Sequence, residues 1–225
     1  MRGSAFRLSP PARSATLRAP RRSSRGPPTL PLNLAQVLGL YGNAAPGTVS
    51  NFLALVESGD LVETTFQRVF PGQWIQAGGQ GSHRLGRVQP RPGVLKANPD
   101  VTDSKSFKLA HNRPGTLTLL LAEGVSADDE GVRSRPGYVG TEFAVTTGPG
   151  PVPALDGEAI VFGRVLEGID VVADVAAVRA FNPAANVRGF NLLGQILNDE
   201  RAARAKRNWG SPLQAVVIDS ATLLE

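Results

Sequence analysis

The stretch Thr64–Gly79, TTFQRVFPGQWIQAGG, gathers the residues of this chain best suited to chemistry. Arg68 carries a guanidinium that is always charged and holds its N–H donors in a fixed fork. Gln76 adds an amide, and Gly78-Gly79 after it permits a tight bend or a close backbone approach. Such a set can steady a polar group through preorganised hydrogen bonds. The chain has no cysteine, which removes disulfides and thiolate chemistry and leaves the compartment open. Only His83 and His111 could supply imidazole, which argues against a histidine-based metal site.

The 225 residues suffice for one domain with a sizeable core plus a tail. Seven of the 24 basic residues are arginines within residues 1–30, and the first acid is Glu57. The remaining 17 basic residues face 19 acids, a net charge of −2. The high pI therefore belongs to the tail and is poor grounds for nucleic-acid binding. No apolar run approaches the ~20 residues a membrane-spanning helix needs. Arg-rich, Ser-rich and acid-free, residues 1–34 read as an unfolded basic tail of the transit-peptide kind. A plastid is the expected destination, its thylakoid lumen included, with a mitochondrion second.

Residues 35–225 read as the folded domain. Val37–Tyr41 is a short apolar strand, and Gly42-Asn43 a turn. Pro46 opens a helix whose Val49, Phe52, Leu53 and Val56 make one apolar face, with Gly59 as its cap. Short strands follow at Thr64–Val69, Trp74–Gln76, Thr116–Leu121, Glu142–Thr146 and Ala159–Val165. Residues 80–105 and 122–140 read as long loops, of the kind usually functional or mobile. A second helix fits Ile169–Val178, an additional one fits Phe190–Asn208, and Ala215–Ile218 is a last strand. Upstream of Ala35, RGPPTLPLN is a poor strand, so the sheet is expected to lack part of its first hairpin. Pattern alone gives a β-rich domain with helices at both ends and does not separate barrel from sandwich.

Four segments in order resemble cyclophilins. LYGNAAPGTVSNFLALVESG (40–59) is similar to the family's strand, turn and "P-x-T-V-x-N-F" helix. TTFQRVFPGQWIQAGG is similar to "F-H-R-V-I-P-x-F-x-x-Q-G-G" and HNRPGTLTLLLA (111–122) to "H-x-x-P-G-x-L-S-M-A". Residues 141–172 resemble "S-Q-F-F-I-x-T" followed by "L-D-G-x-x-V-V-F-G-x-V". The resemblance implies a mainly β fold: a closed antiparallel eight-stranded barrel with a helix at each end, a packed interior and an active site on its outer wall. Here the helix near 190–208 would be an addition.

The resemblance also implies peptidyl-prolyl cis-trans isomerase activity on proline-containing segments, without cofactor or metal, by a protein expected to be monomeric. An X-Pro bond favours trans by only ~0.5–1 kcal/mol, but its rotation barrier is ~18–20 kcal/mol. That barrier is amide resonance. A donor aimed at the proline nitrogen favours the twisted amide, where the lone pair has returned to nitrogen. Arg68 matches the family's catalytic arginine. Gln76 matches the glutamine that orients it and bonds the substrate backbone.

The substrate-binding positions are mixed. Phe66, Phe143 and Leu155 match the family. Gln73 replaces an aromatic of the proline pocket, Trp74 a methionine, and Leu120 a small alanine. Leu121 replaces a backbone-binding asparagine, Ala144 a second pocket phenylalanine and Ala159 a pocket histidine. Lost aromatic area at ~25 cal/mol per Å² predicts reduced activity. The rival expectation is a non-catalytic interaction module or assembly factor built on the same fold. His111 is expected to be structural.

Overall fold

The computed structural model describes residues 14–18, 35–121, 139–182 and 208–224. Two α-helices and a set of short antiparallel strands dominate these residues. The strands are β1 (Ser14–Arg18), β2 (Ala35–Leu40), β3 (Arg68–Phe70), β4 (Trp74–Ala77), β5 (Thr116–Leu119), β6 (Phe143–Thr146), β7 (Ile160–Glu167) and β8 (Ser220–Leu224). They hydrogen-bond in one sheet, in the order β3-β4-β6-β5-β7-β2-β1-β8. β3 and β8 stand at the two ends of that order, so the ladders do not give the expected closed barrel. Just ahead of these end strands, Thr65 and Val217 form an isolated antiparallel bridge. The Phe66 N–H donates to the Val216 carbonyl at 2.8 Å, and that of Ile218 to Thr64 at 2.7 Å. The last strand thus lies later than the predicted Ala215–Ile218, which supplies this bridge instead.

The expected gap in the first hairpin is corrected. β1 lies inside the segment read as tail and pairs with β2 on one side and β8 on the other, Ser14 facing Gly39 and Leu224. SATLR has no Gly or Pro and a β-branched centre, as a strand requires. A Pro-rich stretch separates this strand from Ala35, so the residues directly upstream of β2 do not reveal it. The helix predicted at Phe190–Asn208 and most of the 122–140 loop lie outside the described residues. Among the described residues, no helix is long and apolar enough to cross a membrane.

Helix α1 (Pro46–Ser58) follows its sequence signals. Pro46 stands in the first turn, and Gly59 closes the helix with φ 75° and an N–H donated to the Val56 carbonyl. Its apolar side enters the core: Phe52 meets Phe143 edge-on at 5.4 Å and Phe162 at 5.2 Å. Helix α2 (Ile169–Ala176) adds Val172 and Val175 to the same cluster. Ala45 gives α1 no side-chain cap. Asp100 serves instead, its Oδ2 accepting the Thr48 N–H at 2.7 Å, while Asn98 donates to the Thr48 hydroxyl at 2.9 Å. Much of the predicted loop 80–105 is therefore fixed by polar contacts. It holds the short 3-10 turns His83–Leu85 and Pro99–Val101 and runs into a third at Ser104–Phe107.

A further polar joint holds the 3-10 turn Pro153–Leu155 against the sheet. His111 is fully buried, and Asp156 Oδ1 accepts both its backbone N–H and its Nδ1–H, each at 2.7 Å. The His111 carbonyl in turn accepts the Val152 N–H at 2.9 Å. The backbone N–H of His111 is the main reason the Asp156 carboxyl lies below its ordinary range, against the burial that raises it. A depressed folded value stabilises the fold above the unfolded value, near 3.8, and that contribution fades as pH falls through the folded one. Asp156→Ala leaves buried donors unpaired and is predicted to cost about 1–2 kcal/mol at pH 7. Denaturant unfolding at several pH values should show this gap shrinking below about pH 4; a gap that persists undiminished at pH 2 contradicts the assignment.

Candidate functional site

The two-residue period of a strand sorts the candidate side chains onto two faces. On β3 and β4, Val69, Ile75 and Ala77 turn inward to the core. Arg68, Phe70, Trp74 and Gln76 therefore share the other face. On β6 and β5, Phe143, Val145, Leu117 and Leu119 turn inward. That leaves Ala144, Thr146, Thr116 and Thr118 outward.

Register then aligns the outward residues. Arg68 is opposite Gln76, Gln76 opposite Ala144, and Ala144 opposite Thr118. This row crosses four strands. Residues opposite one another in antiparallel strands point to the same side, so Arg68 and Gln76 are brought together as expected. Arg68 is half-buried and Gln76 buried, with 5% exposure.

Burial removes three residues from the expected binding surface. Phe66 and Phe143 are 5% and 1% exposed and belong to the interior cluster. Half-buried Leu121 packs against that cluster too. They support the sheet from behind. Motif matching placed them with the site because it does not record which face a residue occupies. Gln73 is exposed in the turn between β3 and β4, where its backbone bonds Phe70 and Thr147.

The remaining positions meet beside the row. Val152, Leu155 and Ala159 form a small second apolar cluster, and Trp74 and Leu120 pack against it. Four of the positions that the resemblance assigns to substrate binding, Trp74, Leu120, Leu155 and Ala159, are thus packed together. Ala144, a small residue of the row, is fully buried. Phe70 steadies Trp74 from the other side, ring centroids 5.1 Å apart. The Trp74 Nε1 and Thr118 Oγ1 atoms are buried without a hydrogen-bond partner.

The glycine pair works by close approach. Gly78 has φ 80°, and a Cβ there would lie 2.2 Å from the Thr141 carbonyl oxygen. The Thr141 hydroxyl donates to the Gly78 carbonyl at 2.7 Å, locking the crossing. Glu142 is the residue that sequence reasoning missed. It stands at the glutamine of the "S-Q-F-F" motif, two residues before Ala144, and its Oε1 accepts a hydrogen bond from Gln76 Nε2. Its place two positions from an outward residue was the available signal.

The arrangement offers a cation and an amide side by side on a half-exposed sheet face, next to an apolar patch. It suits binding a peptide and polarising one of its amides, with no nucleophile required. Comparison with known proteins identifies the family. Residues 36–192 match the cyclophilin type peptidyl-prolyl cis-trans isomerase/CLD family. The chloroplastic peptidyl-prolyl cis-trans isomerase CYP28 of Arabidopsis thaliana is 42% identical over 81% of this chain and 66% of its own length. Peptidyl-prolyl cis-trans isomerase D of Saccharomyces cerevisiae is 34% identical over 64% of this chain and 56% of its own. This chain thus spans less than two thirds of either relative. A crystal structure of a cyclophilin type isomerase from Cryptosporidium parvum superposes with a TM-score of 0.59 at 17% identity, covering 95% of this chain and 98% of that one. That likeness concerns the fold alone. Ordered motifs, sheet and family match together place this chain in the cyclophilin-type peptidyl-prolyl cis-trans isomerase family.

Proposed function

We propose that this protein is a peptidyl-prolyl cis-trans isomerase that assists protein folding, with activity reduced by its occupied proline pocket. The observation that carries the reading is the register pair Arg68–Gln76 on the outward face of β3 and β4. From there the guanidinium can donate to the proline nitrogen as the amide twists, while Gln76 holds the peptide backbone. Only the twisted state offers a lone pair to that donor, so the contact lowers the barrier and not merely the ground state. Proline-containing segments are the substrates, no cofactor enters, and a monomer suffices.

The reduced activity follows from Trp74 and Leu120. A fully buried aromatic covers ~150–250 Å², so evicting one costs ~4–6 kcal/mol at ~25 cal/mol per Å². Trp74 is half-buried, so its own cost is lower. The same occupancy favours the second reading, a non-catalytic interaction module that uses this face to hold one partner.

Protease-free NMR exchange on Xaa-Pro peptides separates the two. Slow catalysis is expected, lost in Arg68→Ala and raised about tenfold in Trp74→Met, which restores the family residue. Near-typical wild-type rates overturn the pocket argument. Absence of catalysis on every peptide leaves the interaction module.

The plastid is the proposed location, supported by the arginine-rich, acid-free N-terminus and by the chloroplastic relative. Nothing favours the thylakoid lumen or the mitochondrion. Because β1 pairs with β2 and β8, removal of a leader should spare Ser14–Arg18. A reporter fused to residues 1–40 is predicted to enter plastids, and the mature protein to begin no later than Ser14. A cytosolic signal, or a mature terminus beyond Arg18, contradicts this reading.

A further inference from the structure

The Gln76–Glu142 contact assigns a role to a residue outside the expected site. Gln76 is buried, so its amide has few alternatives to the partner it has. The Gly78 crossing fixes the backbone of residues 141–142 against β4. The Glu142 carbonyl also accepts the Leu120 N–H at 2.9 Å, which ties the residue to the end of β5. A Cβ at Gly79 would lie 3.2 Å from Arg87 Nη1 and 3.3 Å from Glu142 Oε1, so this glycine leaves the room in which the carboxylate sits.

The chemistry of the pair is directional. An ionised carboxylate only accepts, whereas a glutamine amide has one donating and one accepting end. Contact with Glu142 therefore selects the NH2 end of Gln76. Register places Arg68 on the opposite flank of Gln76 from β6. We propose that Glu142 is a positioning residue: by holding the Gln76 NH2 group it turns Gln76 Oε1 toward the β3 flank, as an acceptor that orients the Arg68 guanidinium. The inference rests on the isomerase reading for its catalytic consequence, and on the hydrogen bond alone for its geometry.

The Gln76 contact requires an acceptor at position 142. The test uses the full chain and two variants of similar size. Glu142→Met, which offers no comparable acceptor, is predicted to move the Gln76 side-chain NH2 resonances. It should also lower kcat/KM in the NMR exchange assay about tenfold, in a chain that still unfolds cooperatively. Glu142→Gln keeps a carbonyl oxygen and should retain kcat/KM within about twofold of wild type. Unmoved Gln76 NH2 resonances in Glu142→Met overturn the proposal, as does equal loss of activity in both variants. If the wild-type chain proves inactive, the isomerase reading fails by itself, and the Gln76 resonances still decide the geometry.

Discussion

The antiparallel register of β3, β4, β6 and β5 is the constraint on which the site depends. It sets Arg68 opposite Gln76, Gln76 opposite Ala144, and Ala144 opposite Thr118. A slip of one residue would exchange the two faces, sending Arg68 and Gln76 into the interior and exposing Val69, Ile75 and Phe143. Burial prevents that. The inward residues of these strands pack with Phe52 and Phe162, so the same apolar contacts that stabilise the domain also aim the guanidinium. Fold stability and site geometry are here one interaction described from two sides.

Around that row the chain departs from its family in a coherent way. Small Ala144 stands where the family carries an aromatic, and larger Trp74 and Leu120 lie against Val152, Leu155 and Ala159. Volume removed at one position has been returned from neighbouring ones. On the proposed isomerase reading, the donors to the amide are kept while the apolar surroundings of the ring differ. Such a surface separates the two requirements of the reaction, electrostatic stabilisation of the twisted bond and apolar binding of the ring. The wall of the patch is itself held by a polar joint, since Asp156 receives both hydrogens of buried His111 beside the turn that carries Leu155.

Much of this was legible in the residues. The helix from Pro46, the strand positions around Arg68 and Gln76, and the close approach at Gly78 all follow from local rules of capping, alternation and glycine geometry. The failures share a cause: they depended on partners distant in sequence. Phe66 and Phe143 match family motifs, but only their packing in the folded chain shows that they belong to the interior. SATLR is set within an Arg- and Pro-rich stretch that masks it, and it joins the sheet because β2 and β8 flank it. The stretch 80–105 looked like a free loop because its anchors, Thr48 and Asn51, lie on helix α1. Glu142 escaped notice because its significance lies in Gln76, across the sheet.

The central claim is that Trp74 and Leu120 occupy the space a proline ring would need beside Arg68. Intermolecular NOEs from a bound Ala-Pro peptide to the methyl groups of Leu155 and Ala159 test it most directly. At equal peptide concentration, the contacts should be weak or absent in the wild-type protein and strong in Trp74→Met. Strong contacts in the wild type, with the indole resonances of Trp74 unmoved, would contradict the account.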